Sequence, residues 1–176
     1  MSTGASRDDD NDARFMQLAI RQAEIAVARG QTPFGAVVVG ANGDIIGQGH
    51  NAVRANHDPT AHAEIVAIRD AWQHVGAWSL LKSSTLYTSC EPCLLCAFVI
   101  TQIGVSRVVF AARGTDVPGY KPLLGADLAK AAAWVNAQQD WARIEVIGDF
   151  MREQARDVIA AFPWSQAQSR DSLEPG

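Results

Sequence analysis

The chain predicts an α/β fold, a mixed sheet between two layers of helices. Three observations lead there. Two apolar runs flank Asn42-Gly43, the pattern of an antiparallel hairpin. Beyond the hairpin, short β-type runs alternate with helical periodicities, which implies a sheet covered on both faces. With 176 residues, 48% of them hydrophobic, the chain has the length and composition of one domain with its own core.

Residues 1–11 (M-S-T-G-A-S-R-D-D-D-N) are polar and read as a disordered tail, neither signal nor transit peptide. Over residues 12–29, Met16, Ala19, Ile20, Ala23, Ala26 and Val27 recur at steps of three and four. That stripe is one buried helix face, and Gly30 ends the helix. F-G-A-V-V-V-G (34–40) and I-I-G-Q-G-H-N (45–51) form the hairpin, and a polar loop fills 52–58. A second helix is expected over 60–74, capped by Asp58 or Thr60, with Ile65, Ile68 and Ala71 or Trp72 buried. A strand at 84–89, a helix at 93–103 and a strand at 105–112 follow. A Gly/Pro loop (113–125), a helix (126–138), a strand (143–147) and a helix (150–162) complete the order. Pro163 stops the last helix, so the domain is expected to span 12–163 and a tail 164–176.

The stretch around which this order makes sense is T-S-C-E-P-C-L-L-C at 88–96, with T-A-H-A-E at 60–64 upstream. Cys93 and Cys96 are spaced C-x-x-C, and His62 stands two residues before Glu64. One His and two Cys supply three Zn2+ ligands and leave a fourth tetrahedral position open, as catalytic rather than structural sites do. Glu64 then has a task, moving protons to and from water at that position. The two cysteines share the face of a first helical turn, where the helix N-terminus favours thiolate. His62 and Glu64 reach the same centre if their helix also points its N-terminus at the metal. The spacing therefore predicts two helices meeting end-on. The blander alternative is a structural zinc module with Cys90 as fourth ligand, which leaves Glu64 unexplained.

All three cysteines fall within seven residues, which suits a metal site in a reducing compartment better than a disulfide framework. A cytoplasmic location is expected, and no apolar stretch reaches the roughly 20 residues of a membrane span. The formal net charge of -4 argues mildly against nucleic-acid partners.

The segments P-F-G-A-V-V-V, G-H-N, D-P-T-A-H-A-E, L-Y-T-S-C-E-P-C-L-L-C and R-V-V-F-A-A together resemble the cytidine deaminase superfamily. The similarity is to its branch of guanine deaminases and tRNA adenosine deaminases, over about residues 12–162. It implies a three-layer cytidine deaminase-like α/β/α fold with a five-stranded mixed sheet. It also implies zinc on His62, Cys93 and Cys96, proton transfer by Glu64, a hydrogen bond from Asn51 to the base, and a homodimer. The reaction implied is hydrolytic, with water adding to the amino-bearing ring carbon and ammonia leaving.

T-S-C-E-P-C, Phe34 and R-G-T-D (113–116) are similar to guanine deaminases and favour a free nucleobase, guanine or a related aminated ring, as substrate. The pattern at 148–162 is closer to tRNA-specific adenosine deaminases, the alternative; a cytosine-type deaminase is a further one. Phe34 stacks on the base or packs in the core. Ala63 offers a backbone group. Asp116 and Asp127 are candidates for reading an exocyclic amine, against the plainer roles of loop acid and helix cap. Tyr120 and Trp141 read as packing residues, and Cys90 as a small buried side chain. His50, His57 and His74 are not expected to be ligands.

Overall fold

The computed structural model describes residues 7–77, 81–120, 123 and 127–165. Helix α1 (Arg7–Ala28) precedes strands β1 (Gly35–Val39) and β2 (Ile45–His50). Then come α2 (Val53–Asn56), α3 (Ala63–Val75), β3 (Thr85–Cys90), α4 (Leu94–Ile103) and β4 (Arg107–Ala112). A 3-10 turn (Gly114–Asp116), α5 (Asp127–Asn136), β5 (Glu145–Ile147) and α6 (Arg152–Ala161) follow. The strands form one five-stranded sheet in the order β2-β1-β3-β4-β5. β1 is antiparallel to β2 and β3, whereas β3, β4 and β5 run parallel. This is the mixed, doubly covered sheet that the sequence predicts.

The central strands are apolar without alternation because both of their faces are buried. Val38, Leu86 and Val108 face a core shared with α3, α4 and α5, whereas Val37, Tyr87 and Val109 face one shared with α1 and α6. Each fully buried Val or Leu contributes about 1.5–3 kcal/mol by leaving water.

Two glycines seat the helix that carries the site. A Cβ on Gly47 would lie 2.3 Å from the Ala67 carbonyl oxygen, and one on Gly49 would lie 2.5 Å from the Ala67 nitrogen. No side chain fits there, so α3 lies directly on β2 through the buried Ala63, Ala67 and Ala71. This close seat sets the level at which the α3 N-terminus ends.

Several expectations need correction. α1 starts at Arg7, so residues 7–11 are helical rather than tail. The loop at 52–58 holds the short α2. α3 begins at Ala63, and its N-cap is His62, not Asp58 or Thr60. Asp58 Oδ1 instead accepts from the Thr60 backbone N–H at 2.8 Å and hydroxyl at 2.6 Å, closing the turn before the helix. Ala71, not Trp72, is on the buried side of α3. The folded part also reaches past Pro163, because Trp164 packs on the α1–α6 core. Residues 1–6 and 166–176 of the two expected tails lie outside the described residues.

Candidate metal centre

The two helices do meet end-on. His62 is the N-cap of α3 and Cys93 the N-cap of α4, both with extended backbone (ψ 156° and 172°). N-cap side chains ordinarily bond back to the first turn. Neither does so here, and both turn to a common point. Cys96 joins them from the first turn of α4. His62 Nδ1 lies 3.5 Å from each sulfur, and the sulfurs are 3.8 Å apart.

Those edges can be tested against a metal. A tetrahedral zinc with bonds of about 2.3 Å to sulfur and about 2.0–2.1 Å to nitrogen needs edges of about 3.8 Å and about 3.6 Å. The three donors already stand at that spacing, and they are a mixed His/Cys set of the kind zinc takes. Cys90 is not part of the group. Its buried thiol points to the Arg113 carbonyl oxygen at 3.7 Å, and burial pushes its pKa up. The closed four-ligand reading therefore lacks its fourth ligand among the described residues.

A hydrogen bond from Cys96 brings the Cys93 thiol down to about 4, whereas that same bond and burial hold the Cys96 proton firmly. The hydrogen bond to Cys93 raises His62, outweighing burial. Glu64, in the first turn of α3, is buried, and desolvation lifts its carboxyl to about 7. The nearby Cys93 charge adds to that rise, while His62 opposes it.

A cavity of about 590 Å³ opens onto this centre. His62, Glu64 and Cys93 are on its wall with the expected Asn51, Phe34 and Ala63. Asn51 is buried at the end of β2, and its Oδ1 accepts from the Val53 backbone at 3.3 Å. It is thus both a turn residue and a pocket residue. His50 sits between Arg29 and Gln22, His57 occupies the left-handed cap of α2, and His74 folds over Asp70. None belongs to the ligand group.

Asp116 departs from expectation. It does not line the cavity, because Arg152 binds both of its oxygens (2.8 and 2.9 Å) and the Arg113 backbone N–H takes Oδ2 at 2.8 Å. These bonds, Arg152 first, hold its carboxyl below the usual range. Its work is to clamp the 3-10 turn to α6, aided by Arg113 on Asp149. Asp127 is buried and takes a hydrogen bond from the Tyr120 hydroxyl at 3.3 Å. Trp141 packs on Trp134, away from the cavity.

Sequence reasoning undervalued one pocket residue and missed several others. Tyr120 lines the cavity rather than simply packing. Arg54 stands on its wall, in a segment read as loop. Glu91 does too, with Oε2 accepting from the Gly114 N–H at 3.2 Å. Trp164 completes the wall from beyond the expected domain end. The only signal for Trp164 was an aromatic directly after the helix stop at Pro163.

Three comparisons bear on this arrangement. The family described as "Cytidine and deoxycytidylate deaminase zinc-binding region" matches residues 9–112. A tRNA-specific adenosine deaminase of Buchnera aphidicola is 35% identical over 153 residues, covering 87% of this chain and 88% of that protein. A solved structure from work on A-to-I editing by deaminases at the wobble position of transfer RNA superposes with a TM-score of 0.68. It is 28% identical and covers 83% of this chain and 99% of that one. The guanine deaminase of Bacillus subtilis gives a TM-score of 0.56 at 35% identity, covering 73% of this chain and 96% of that one.

Proposed function

The chain belongs to the family of the cytidine and deoxycytidylate deaminase zinc-binding region, and from that premise we propose that it hydrolyses the exocyclic amine of adenosine in a tRNA. The observation that carries this reading is the similarity to a tRNA-specific adenosine deaminase along nearly the full length of both chains. The structure supports the chemistry with a metal-ready His/Cys/Cys group beside a buried glutamate at the floor of an open cavity.

His62, Cys93 and Cys96 would hold the zinc. Bound there, it supplies Lewis acidity that brings the pKa of water to about 7. Glu64 takes a proton from the attacking water and passes it to the ring nitrogen beside the amino-bearing carbon. A second proton reaches the amine by the same carboxylate, and the C–N bond breaks to give ammonia and the oxo base. Glu64 is buried on the cavity wall beside the ligand group, where one carboxylate can serve as both base and acid. Asn51 and the Ala63 backbone orient the ring, and Phe34 packs against it. The base enters flipped out of its stack.

The experiment is to load the protein with zinc, incubate it with tRNA, and measure inosine in nuclease digests. Glu64→Ala is the control. Inosine in tRNA that vanishes in the variant supports the proposal. Ammonia from free guanine with no inosine in tRNA would replace it with the second reading, a free-purine deaminase. That reading has its own support in T-S-C-E-P-C, in Phe34 on the pocket wall, and in the 35% identity to the Bacillus guanine deaminase.

We also place the protein as a homodimer, an expectation from the resemblance. Phe98 on α4 and Trp134 on α5 are 61% and 60% exposed, an apolar face for the second copy. Light scattering should give twice the chain mass of 18.9 kDa. A monomer mass would refute this.

A further inference from the structure

We infer that Trp164 is a specificity-determining residue, the platform on which the ring of the substrate stacks, opposite Phe34. The inference rests on the reading above only in that the cavity receives a planar amine-bearing ring. Trp164 reaches the cavity wall from just beyond α6, on the side away from the metal-carrying helices.

Its polar edge is already occupied. The indole Nε1 donates to the Ile159 carbonyl oxygen at 2.9 Å. The indole ring also meets the buried Phe162 in a T-shaped contact, with centroids 4.8 Å apart at 73°. These two contacts fix the position of the ring. Phe34 lies 6.4 Å away at 52°, so the two rings are tilted and do not stack on each other. Both are only partly buried, and both line the same cavity as Glu64 and Asn51.

The wall is also held in place. Asp116 binds Arg152 and Arg156 of α6, so the helix that precedes Trp164 is tied to the 3-10 turn whose Gly114 also lines the cavity. Anchored aromatics on a cavity wall hold bases through stacking and so select for a planar ring.

The test uses the indole itself. Free guanine and tRNA are each titrated into zinc-loaded Glu64→Gln protein while tryptophan emission is followed. The expected result is a saturable quench by one of them that Trp164→Phe in the same background abolishes. Steady-state kinetics with Glu64 intact should show Trp164→Leu raising KM roughly tenfold, with most of the loss in KM rather than kcat. Trp164→Phe should restore most of that loss, because its ring still stacks. A quench unchanged in Trp164→Phe, no quench by either probe, or an unchanged KM in folded Trp164→Leu overturns the inference. If Trp164→Leu does not fold, the Trp164→Phe quench decides. Ammonia release without a Trp164-dependent quench would defeat this inference alone. A quench without ammonia from any substrate would defeat the proposed function and leave this one standing.

Discussion

Asp12 and Glu64 are equally buried, with 6% and 7% of their surface exposed, yet their carboxyls are pushed in opposite directions. Burial raises both. At Asp12 the hydrogen bonds from Arg107 and Tyr87 outweigh it, and the group stays below its ordinary value. At Glu64 no cation compensates enough, and the group rises to about 7. Desolvation acts at both sites, more strongly at Glu64, and at Asp12 the partners outweigh it. A paired carboxylate ties α1 to β3 and β4. Glu64, beside the candidate ligand group and without such a pair, has its carboxyl raised instead.

The largest effect expected from this contrast is at Glu64. Glu64→Ala should lower kcat by about 10²–10⁴ while metal analysis still finds zinc. His62→Ala, in contrast, should lose the metal itself. Loss of zinc in Glu64→Ala would mean that the carboxylate is a ligand and the contrast is drawn wrongly.

Asp12→Asn should act on stability instead. Arg107 loses one of its two short bonds, of 2.8 and 2.5 Å, and the negative charge behind both. We expect a loss of roughly 2–3 kcal/mol at neutral pH, less than for a fully buried pair because Arg107 keeps some solvent contact. Denaturant unfolding measures it. Because the folded-state pKa of Asp12 is depressed, its contribution is complete above the unfolded value of about 4. It is lost as pH falls through the lower folded value. The gap between wild type and Asp12→Asn should therefore close in acid, and a gap unchanged at low pH would contradict the ion pair.

Asp116 lies between the two cases, paired like Asp12 but placed behind the pocket wall. A double-mutant cycle of Asp116→Asn and Arg152→Gln should return a coupling of about 1 kcal/mol in kcat/KM. Additive effects would show that the clamp does not shape the pocket. The smallest effect belongs to Cys90. Cys90→Ser should leave zinc affinity unchanged in a competition assay with a chelating dye, since the thiol faces a carbonyl and not the ligand group.

The metal centre was legible in the sequence because its geometry is local. C-x-x-C on a first helical turn sets two sulfurs side by side, and H-A-E at another helix start sets a ligand and a carboxylate. The five strands were legible for a similar reason, since β-type runs bounded by turn residues need no knowledge of their partners. Capping was not: Asp58 looked like a helix cap, but the candidate metal ligands His62 and Cys93 themselves hold the N-cap positions.

Tertiary structure alone decided the rest. Asp12 finds Tyr87 75 residues away and Arg107 95 residues away, and nothing near Asp12 announces either. Asp116 turns from the pocket because Arg152 arrives with α6. Trp164 becomes a pocket wall because α6 packs on the sheet beside α1. Gly47 and Gly49 matter because α3 presses on β2 with no room for a side chain between them. Spacing within a turn is set by bond geometry and can be read from the chain. Contacts between distant segments depend on how whole elements pack, so the sequence determined the spacing of the candidate metal ligands, and the fold decided what surrounds them.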